Sequence, residues 1–199
     1  MTKAGTAGIL AAILLLAGCA PPQPLPEPSP PLPDAGPETE PPFGAVSFCM
    51  RFEDQCAPAS GPPLPLTVPS WQLLLRVNHD VNSDIWPEDD EEHYGRPEYW
   101  TIPKDGYGDC DDYAVTKRQR LFAAGLPFSI LRLAVVALPG GALHTVMTIT
   151  TDRGDFVLDN RSDEILAWTR TPFTWLKVQA RASPWRWEAV TRASARAAK

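Results

Sequence analysis

Histidine is scarce in this sequence, and long apolar runs are nearly absent. Only three of the 199 residues are histidine. His79 falls in a predicted helix, where it is typical of a surface side chain, and His93 has no metal-ligand spacing to another histidine or cysteine, which argues against a zinc site. The one long apolar run, residues 9–17, is too short to span a bilayer in a mature protein.

The sequence also has no excess of basic charge, no phosphate-binding glycine loop and no internal repeat. The formal net charge is -6, and the acidic chain carries no nucleic-acid-binding motif, so we expect no nucleic-acid partner. With 44% hydrophobic residues and 23 prolines, the composition predicts one modest globular domain and a separate non-globular segment.

The N-terminus has the charged, apolar and small-residue regions of a secretory signal, predicted over residues 1–18. It ends in LAGC, which resembles the bacterial lipobox. This resemblance implies cleavage before Cys19 and attachment of lipid to its sulfur, so that the membrane is reached through a lipid anchor. The alternative is an ordinary cleaved signal followed by an incidental cysteine.

Residues 19–42 are predicted to form a tether between the lipid and the folded domain. They are rich in proline and poor in apolar side chains, so they have little surface to bury and should remain extended. The alternative is low-complexity filler without a binding role. We assign the domain to residues 43–190, with a compact part beginning near Ser70, and a flexible tail to residues 191–199.

The four cysteines divide by position. If Cys19 carries lipid, three remain in an oxidising compartment, where two nearby thiols usually pair. We therefore predict a disulfide between Cys49 and Cys56 and a free thiol at Cys110. The alternative is three reduced thiols.

Acidic residues are concentrated between residues 84 and 112, where Arg96 and Lys104 are the only basic ones. The run at residues 88–92 is typical of a solvated acidic loop. It is also suited to binding a cation or attracting a basic substrate.

The periodicity predicts helices followed by a sheet. Ser70 can cap a helix over residues 71–82, and Asp109 or its neighbour can cap a second helix that begins at Cys110 and stops at Gly125. Lys117 interrupts the apolar face of the second helix and must snorkel or find a carboxylate. The following apolar and β-branched segments, divided by glycine-containing turns, predict a three-stranded antiparallel meander over residues 128–138, 142–150 and 155–160, with further strands at 173–180 and 185–190.

Cys110, His144 and Asp159 occur in a workable order for a nucleophilic cysteine enzyme. A helix start stabilises a thiolate, but the neighbouring acids raise the thiol pKa, so a cationic partner is needed. His144 would exchange the proton, and Asp159 would hold the imidazole in its productive tautomer. Each residue also has a purely structural interpretation. Cys110 can be a small buried apolar side chain, His144 a core or surface histidine whose hydrogen bonds are all made, and Asp159 a turn-forming residue at the end of a strand.

Five motifs stand out around the three candidate residues: YWTIP at residues 99–103, GYGDCDDY at 106–113, KR at 117–118, LHTV at 143–146 and GDFVLDN at 154–160. Together they resemble the bacterial transglutaminase-like cysteine proteinases, across roughly residues 48–187.

The resemblance implies an α+β, papain-like core in which the nucleophile's helix packs on an antiparallel sheet. By resemblance, Cys110 is the nucleophile, His144 the general base and acid, and Asp159 the orienting carboxylate. Acids beside the cysteine bind calcium in adhesin-processing relatives, which implies a possible calcium site at Asp109 and Asp111; no cofactor is required for the chemistry. Asp111 stands where many relatives have glutamate, and helix capping is the alternative role.

We therefore expect a cell-envelope cysteine endopeptidase that acts on proteins through a thioester acyl-enzyme. The resemblance implies a lipid-anchored, periplasm-facing enzyme on the outer membrane, with adhesin processing and an inner-membrane regulatory receptor as family possibilities. Trp100 either shapes the cleft, supplies a hydrogen-bond donor or is structural. The alternatives are an acyltransferase of the transglutaminase or amidase type and a non-catalytic envelope binding module.

Overall fold

A seven-stranded antiparallel sheet organises the chain. The computed structural model describes residues 23–33 and 36–191. Strands in these residues, numbered in chain order, are β1 Glu38–Thr39, β2 Trp86–Pro87, β3 Tyr107–Gly108, β4 Leu131–Ala137, β5 Leu143–Thr151, β6 Gly154–Asp159, β7 Ser162–Ala167, β8 Thr174–Ala180 and β9 Ser183–Ala189. The order in the large sheet is β1-β9-β8-β4-β5-β6-β7, while β2 and β3 form a small parallel pair.

The predicted meander is confirmed as β4, β5 and β6. Strands β4 and β5 pair from Leu131 with Ile149 to Ala137 with Leu143, and β5 pairs with β6 from Met147 with Leu158 onward. Strands β8 and β9 were also predicted, whereas β7 was not. Its first three residues are polar and exposed, so the sequence there lacks the continuous apolar signal of the central strands.

Four α-helices occur in the described residues: α1 Phe43–Arg51, α2 Val68–Asp84, α3 Asp90–Tyr94 and α4 Cys110–Ala123. Helix α2 begins before the predicted position, because Thr67 is the cap. Thr67 Oγ1 accepts a hydrogen bond from the Ser70 amide at 3.3 Å, and Ser70 Oγ accepts one from the Thr67 amide at 2.8 Å. Ser70 is therefore the second half of a capping box. None of these helices is long and apolar enough to cross a membrane.

The segment before α2 is more ordered than the sequence indicated. We expected an irregular lead-in over residues 43–56 and a compact part that began near Ser70. Instead this segment contains α1 and a 3-10 turn at Glu53–Cys56. The predicted Cys49–Cys56 disulfide is present and joins these two elements.

The proline-rich segment packs against the domain, which corrects the expectation of a free tether. We call residues 23–33 and 36–42 the Pro-rich strap. The amide of Ser29 donates to the Arg153 carbonyl at 2.8 Å, and Leu32 is completely buried. Further along, Glu38 and Thr39 form β1 at the edge of β9. Extended proline-containing chain suits such edge pairing, because it needs few amide donors of its own.

The hydrophobic core is divided between the two faces of the sheet. Alternate residues of β4 belong to different clusters, with Leu131, Leu133 and Val135 in the larger one and Ala134 and Val136 in the smaller one. The larger cluster contains residues of α1, α2 and α4. The smaller one is covered by the strap and the segment around Trp168. The predicted α+β fold, with the helix of the candidate nucleophile packed on an antiparallel sheet, is confirmed.

Candidate active site

Cys110 is the first residue of α4. Asp109 is the N-cap, as predicted, and its Oδ1 accepts a hydrogen bond from the Asp111 amide at 3.2 Å. The thiol contacts the sheet, where the Thr145 amide donates to Cys110 Sγ at 3.4 Å. In the described part of the chain this amide, and not the His144 ring, is the hydrogen-bond partner of the sulfur. The contact holds the thiol beside the start of β5.

His144 and Asp159 lie on neighbouring strands and contact each other directly. Nε2 of His144 is 2.8 Å from Oδ1 of Asp159, and both side chains are buried. The same oxygen accepts a hydrogen bond from the Arg161 amide at 3.1 Å. Burial acts to raise the pKa of Asp159, but the hydrogen bond and charge of His144 prevail and lower it. An ionised Asp159 therefore accepts a hydrogen bond from Nε2–H of His144, which keeps the proton on Nε2 and leaves Nδ1 as the basic nitrogen.

The pKa of the Cys110 thiol is raised. Burial is the main cause, and the charges of Asp111 and Asp109 act in the same direction, while the hydrogen bond from Thr145 opposes them. This agrees with the expectation that the helix start alone does not activate the thiol.

Acidic side chains form a buried cluster next to the thiol. Two groups of possible ligand atoms share Asp109. One contains Asp109, Cys110 and Asp111, the other contains Asp90, Asp109 and Asp112, and within each group the atoms lie within 4.8 Å of one another. Oδ1 of Asp90, Oδ2 of Asp111 and Oδ2 of Asp112 are buried and have no hydrogen-bond partner among the residues that the structure describes. Unpaired buried carboxylate oxygens are costly, and a cation such as Ca²⁺ prefers oxygen ligands of this kind.

The remaining bonds of this cluster fix its shape. The Tyr99 amide donates to Asp90, and the Thr101 amide donates to Oδ1 of Asp112 at 2.6 Å. Gly108 is required here, because a Cβ atom at this position would lie 2.5 Å from Oδ2 of Asp112. Burial is the main cause of the raised pKa values of Asp90, of Asp111 and of Asp112, the last of which reaches about 8. The residues fit a calcium site.

Trp100 is fully buried at the back of the cleft. Its ring packs edge-on against Trp187 with ring centroids 6.3 Å apart, and its Nε1 donates to Oε2 of Glu98 at 3.3 Å. Gly44 of α1 lies so close that a Cβ atom there would be 2.2 Å from the indole. Of the roles considered for Trp100, shaping the cleft agrees with this packing, because the indole N–H is already engaged.

The cleft around Cys110 has an apolar wall and an acidic wall. Phe43, Leu143 and Leu176 are exposed apolar side chains that line it. The acidic residues of the cleft are Glu88, Asp89, Glu92, Glu98, Asp109 and Asp111. The run at residues 88–92 is thus only partly the solvated loop that the sequence favoured, since Asp90 is buried within the carboxylate cluster.

Sequence reasoning did not assemble the whole carboxylate cluster. Asp112 was noted only as a local acid, and Asp90 belonged to the run at residues 88–92 that was considered for cation binding, but nothing in the spacing of Asp90 brings it to Asp109. The proposed lipidation residue, Cys19, lies outside the described residues. Cys110 is the free cysteine among those described, as predicted.

The ammonium of Lys117 neither reaches solvent nor forms an ion pair with a carboxylate among the described residues. Both were expected alternatives from the sequence, so this expectation is corrected. The side chain is fully buried, and its Nζ has no hydrogen-bond partner or ion pair within the part of the chain that the structure describes. Arg118, the next residue, is also buried but donates to the Gln55 carbonyl and to Oε1 of Gln179.

Known proteins similar to this chain include one family and several solved structures. Residues 35–195 match the family described as bacterial transglutaminase-like cysteine proteinase BTLCP. Calcium-bound LapG of Legionella pneumophila is 27% identical, with a TM-score of 0.49 over 55% of this chain and 65% of that chain. EGTA-treated LapG of the same organism is 28% identical, with a TM-score of 0.47 over 54% and 62%. The match thus spans less than two thirds of the Legionella chains, and no curated protein matches.

Proposed function

This chain belongs to the bacterial transglutaminase-like cysteine proteinases, and from this membership we propose that it is a cysteine endopeptidase of the cell envelope. One observation carries the proposal. The amide of Thr145 donates to Sγ of Cys110, while the preceding residue, His144, is bonded to Asp159. Nucleophile, base and orienting acid therefore come from one helix start and two adjacent strands.

The proposed reaction is peptide hydrolysis by acyl transfer. Nδ1 of His144 accepts the proton of the Cys110 thiol, and Sγ forms a bond to the substrate carbonyl carbon. The Cys110 amide, which has no acceptor within the first turn of α4, donates to the resulting oxyanion. The C–N bond then breaks, and His144 gives its proton to the leaving amine.

Water completes the reaction. It attacks the thioester carbon and gives its proton to His144, the C–S bond breaks, and the imidazolium returns a proton to Cys110. Asp159 remains ionised throughout and stabilises the imidazolium. Hydrolysis therefore restores the free thiol and releases a new carboxyl terminus.

We propose that Asp109 and Asp111 bind calcium, together with the buried Asp90 and Asp112. The three carboxylate oxygens that lack a partner within residues 23–33 and 36–191 support this set, because calcium takes six to eight oxygen ligands. When bound, the ion would supply positive charge that offsets repulsion between the carboxylates and the thiolate. Asp111 is one methylene shorter than the glutamate of many relatives, and Asp90, whose carboxylate is grouped with those of Asp109 and Asp112, enlarges the set of oxygen donors.

The proposed substrate is a protein segment in the periplasm, with adhesin processing and receptor control as family possibilities. The exposed side chains of Phe43 and Leu143 beside Cys110 support binding of a polypeptide, since they offer apolar surface next to the reacting atom. We further propose that Cys19 carries the lipid anchor and that the outer membrane holds the enzyme. Cys19→Ser should move the protein from the detergent phase to the aqueous phase, and unchanged partitioning contradicts the anchor.

The experiment that tests the activity compares envelope proteins incubated with the wild type and with Cys110→Ala. Mass spectrometry should find new protein termini with the wild type alone. Addition of a primary amine separates the second enzyme class, because amine-capped products indicate acyl transfer to an amine and not to water. A Cys110→Ala strain that retains the full phenotype of the wild type supports the binding module and overturns the peptidase.

A further inference from the structure

The Pro-rich strap crosses the sheet from one edge to the other. Its first described residues, from Gln23, line a cavity with Trp71 and Leu75 of α2 and with Ile165 of β7. Its last residues pair with β9, at the opposite edge of the sheet. The strap then enters α1 at Phe43, beside the active-site cleft.

Buried polar contacts hold the strap in place near its centre. The Leu32 amide donates to Oδ2 of Asp155 at 2.8 Å, and Asp155 is itself fully buried beside Arg132. Nε1 of Trp168 donates to the carbonyl of Pro30 at 2.8 Å. These bonds are shielded from water, so undocking the strap leaves a buried carboxylate with one donor fewer.

Bonds also continue along the strap to the cleft. Nζ of Lys177 donates to the Glu40 carbonyl at 2.7 Å, and Lys177 lines the cleft with Pro42 and Phe43. The two described parts of the strap, residues 23–33 and 36–42, are therefore both docked, and the second leads to the wall of the active site.

We propose that the docked strap holds the domain against the lipid surface, with the edge formed by α2 and β7 nearest the bilayer. The proposal rests on lipidation of Cys19, which is part of the proposed function. A free tether over residues 19–42 would extend on average about 27 Å, taking 5–6 Å times the square root of its length. With the strap docked, only the chain between Cys19 and Gln23 is left, and its maximum reach is roughly 14 Å.

The short connection limits the distance from the membrane at which the enzyme can cleave its substrate. The active site can reach polypeptide segments close to the same membrane surface, and it cannot reach segments far from that surface. The substrate class is thus the membrane-proximal part of proteins in the same envelope leaflet.

Two insertions of the same 20-residue glycine-serine linker test the proposal in the lipidated full-length protein. One is placed after Pro22, between lipid and strap, and the other between Asp34 and Ala35, which in the sequence separate the two parts of the strap. Energy transfer is measured from a donor dye on the domain to acceptor lipids in vesicles of phosphatidylethanolamine and phosphatidylglycerol. Cys110→Ala is included to prevent labelling of that thiol.

We expect the insertion after Pro22 to lower energy transfer strongly and the insertion after Asp34 to leave it unchanged. Equal losses from both insertions overturn the proposal, because they show that residues 23–33 do not hold the domain. Protection of residues 23–33 from proteolysis, measured without vesicles, tests docking separately. If the wild type does not bind vesicles but its strap is protected, the lipid anchor fails and the membrane position fails with it, while the peptidase proposal stands.

Discussion

The backbone amide of Thr145 lies 3.4 Å from Sγ of Cys110, so the residue that follows His144 contacts the thiol. The pairing of His144 with Val136 in the sheet fixes the position of both residues along β5. A slip of one residue in this register would exchange the faces on which His144 and Thr145 lie. The central sheet therefore positions the proposed base relative to the proposed nucleophile.

Asp159→Asn should lower kcat about a hundred- to ten-thousandfold, because the amide no longer stabilises the imidazolium or enforces the Nε2–H tautomer of His144. Peptide-cleavage kinetics measure this effect. Asp163→Asn is the matched control, since Asp163 is an exposed acid of the neighbouring strand that pairs with His79 at 2.8 Å. Equal losses in the two variants contradict the special role of Asp159.

The stability contributed by Asp159 should depend on pH. Its pKa is lowered in the folded protein, so the ionised form stabilises the fold above the unfolded-state pKa of about 4. This contribution should be complete near pH 7 and disappear as the pH falls through the lower folded-state pKa. Denaturant unfolding of the wild type and Asp159→Asn at several pH values measures it. A difference in unfolding free energy that grows toward low pH contradicts the assignment.

The sequence predicted the parts of the site that depend on local chemistry. Asp109 caps α4 because its carboxylate reaches an amide two residues away, and β4 to β6 follow from continuous apolar, β-branched runs. Asp90 could not be placed in the same way, because its approach to Asp109 depends on the packing of α3. Docking of Leu32 depends on Asp155, more than a hundred residues further along the chain. Local composition contains no signal for such a pairing.

Asp111→Asn should stabilise the protein in chelator and abolish its response to calcium. Oδ2 of Asp111 is buried and has no partner in the described part of the chain, so removal of its charge should raise the unfolding free energy by about 1 kcal/mol. The wild type should gain melting temperature when calcium is added, whereas the variant should not. Glu91→Gln, an exposed acid of α3, is the control and should keep the calcium response. A calcium response in Asp111→Asn equal to that of the wild type rules out this ligand.

Loss of the Cys49–Cys56 disulfide should lower stability without abolishing activity. The bridge closes a loop of sequence separation 7, for which chain entropy predicts a contribution of about 2 to 3 kcal/mol. The double variant Cys49→Ser with Cys56→Ser should unfold at lower denaturant concentration and become insensitive to reductant. Reduction of the wild type should produce the same loss. If reductant lowers the stability of the double variant as well, the loss of stability on reduction does not come from the Cys49–Cys56 disulfide.

Lys117→Met should stabilise the protein, whereas the neighbouring Arg118→Met should destabilise it. Both side chains are buried, but Nζ of Lys117 has no partner within the described residues, while Arg118 is bonded to Gln179 at 3.0 Å and to the Gln55 carbonyl. An unpaired buried ammonium is costly, so its removal should raise the unfolding free energy by about 1 kcal/mol or more. Removal of the arginine takes a donor from the Gln55 carbonyl and one of two donors from Oε1 of Gln179, which keeps the Leu133 amide, and should cost about 2 kcal/mol.

The gain from Lys117→Met should be largest in acid. Burial lowers the pKa of Lys117 to about 7, although the charges of Asp159 and Asp163 oppose the shift. The charged side chain therefore destabilises the fold fully below pH 7, and the penalty fades as the pH rises toward the unfolded-state pKa of about 10. Unfolding of both variants at pH 6 and pH 9 measures this dependence. Arg118→Met is the matched control, since the two residues are adjacent on α4. If Lys117→Met lowers the unfolding free energy as much as Arg118→Met does, the ammonium of Lys117 has a bonding partner.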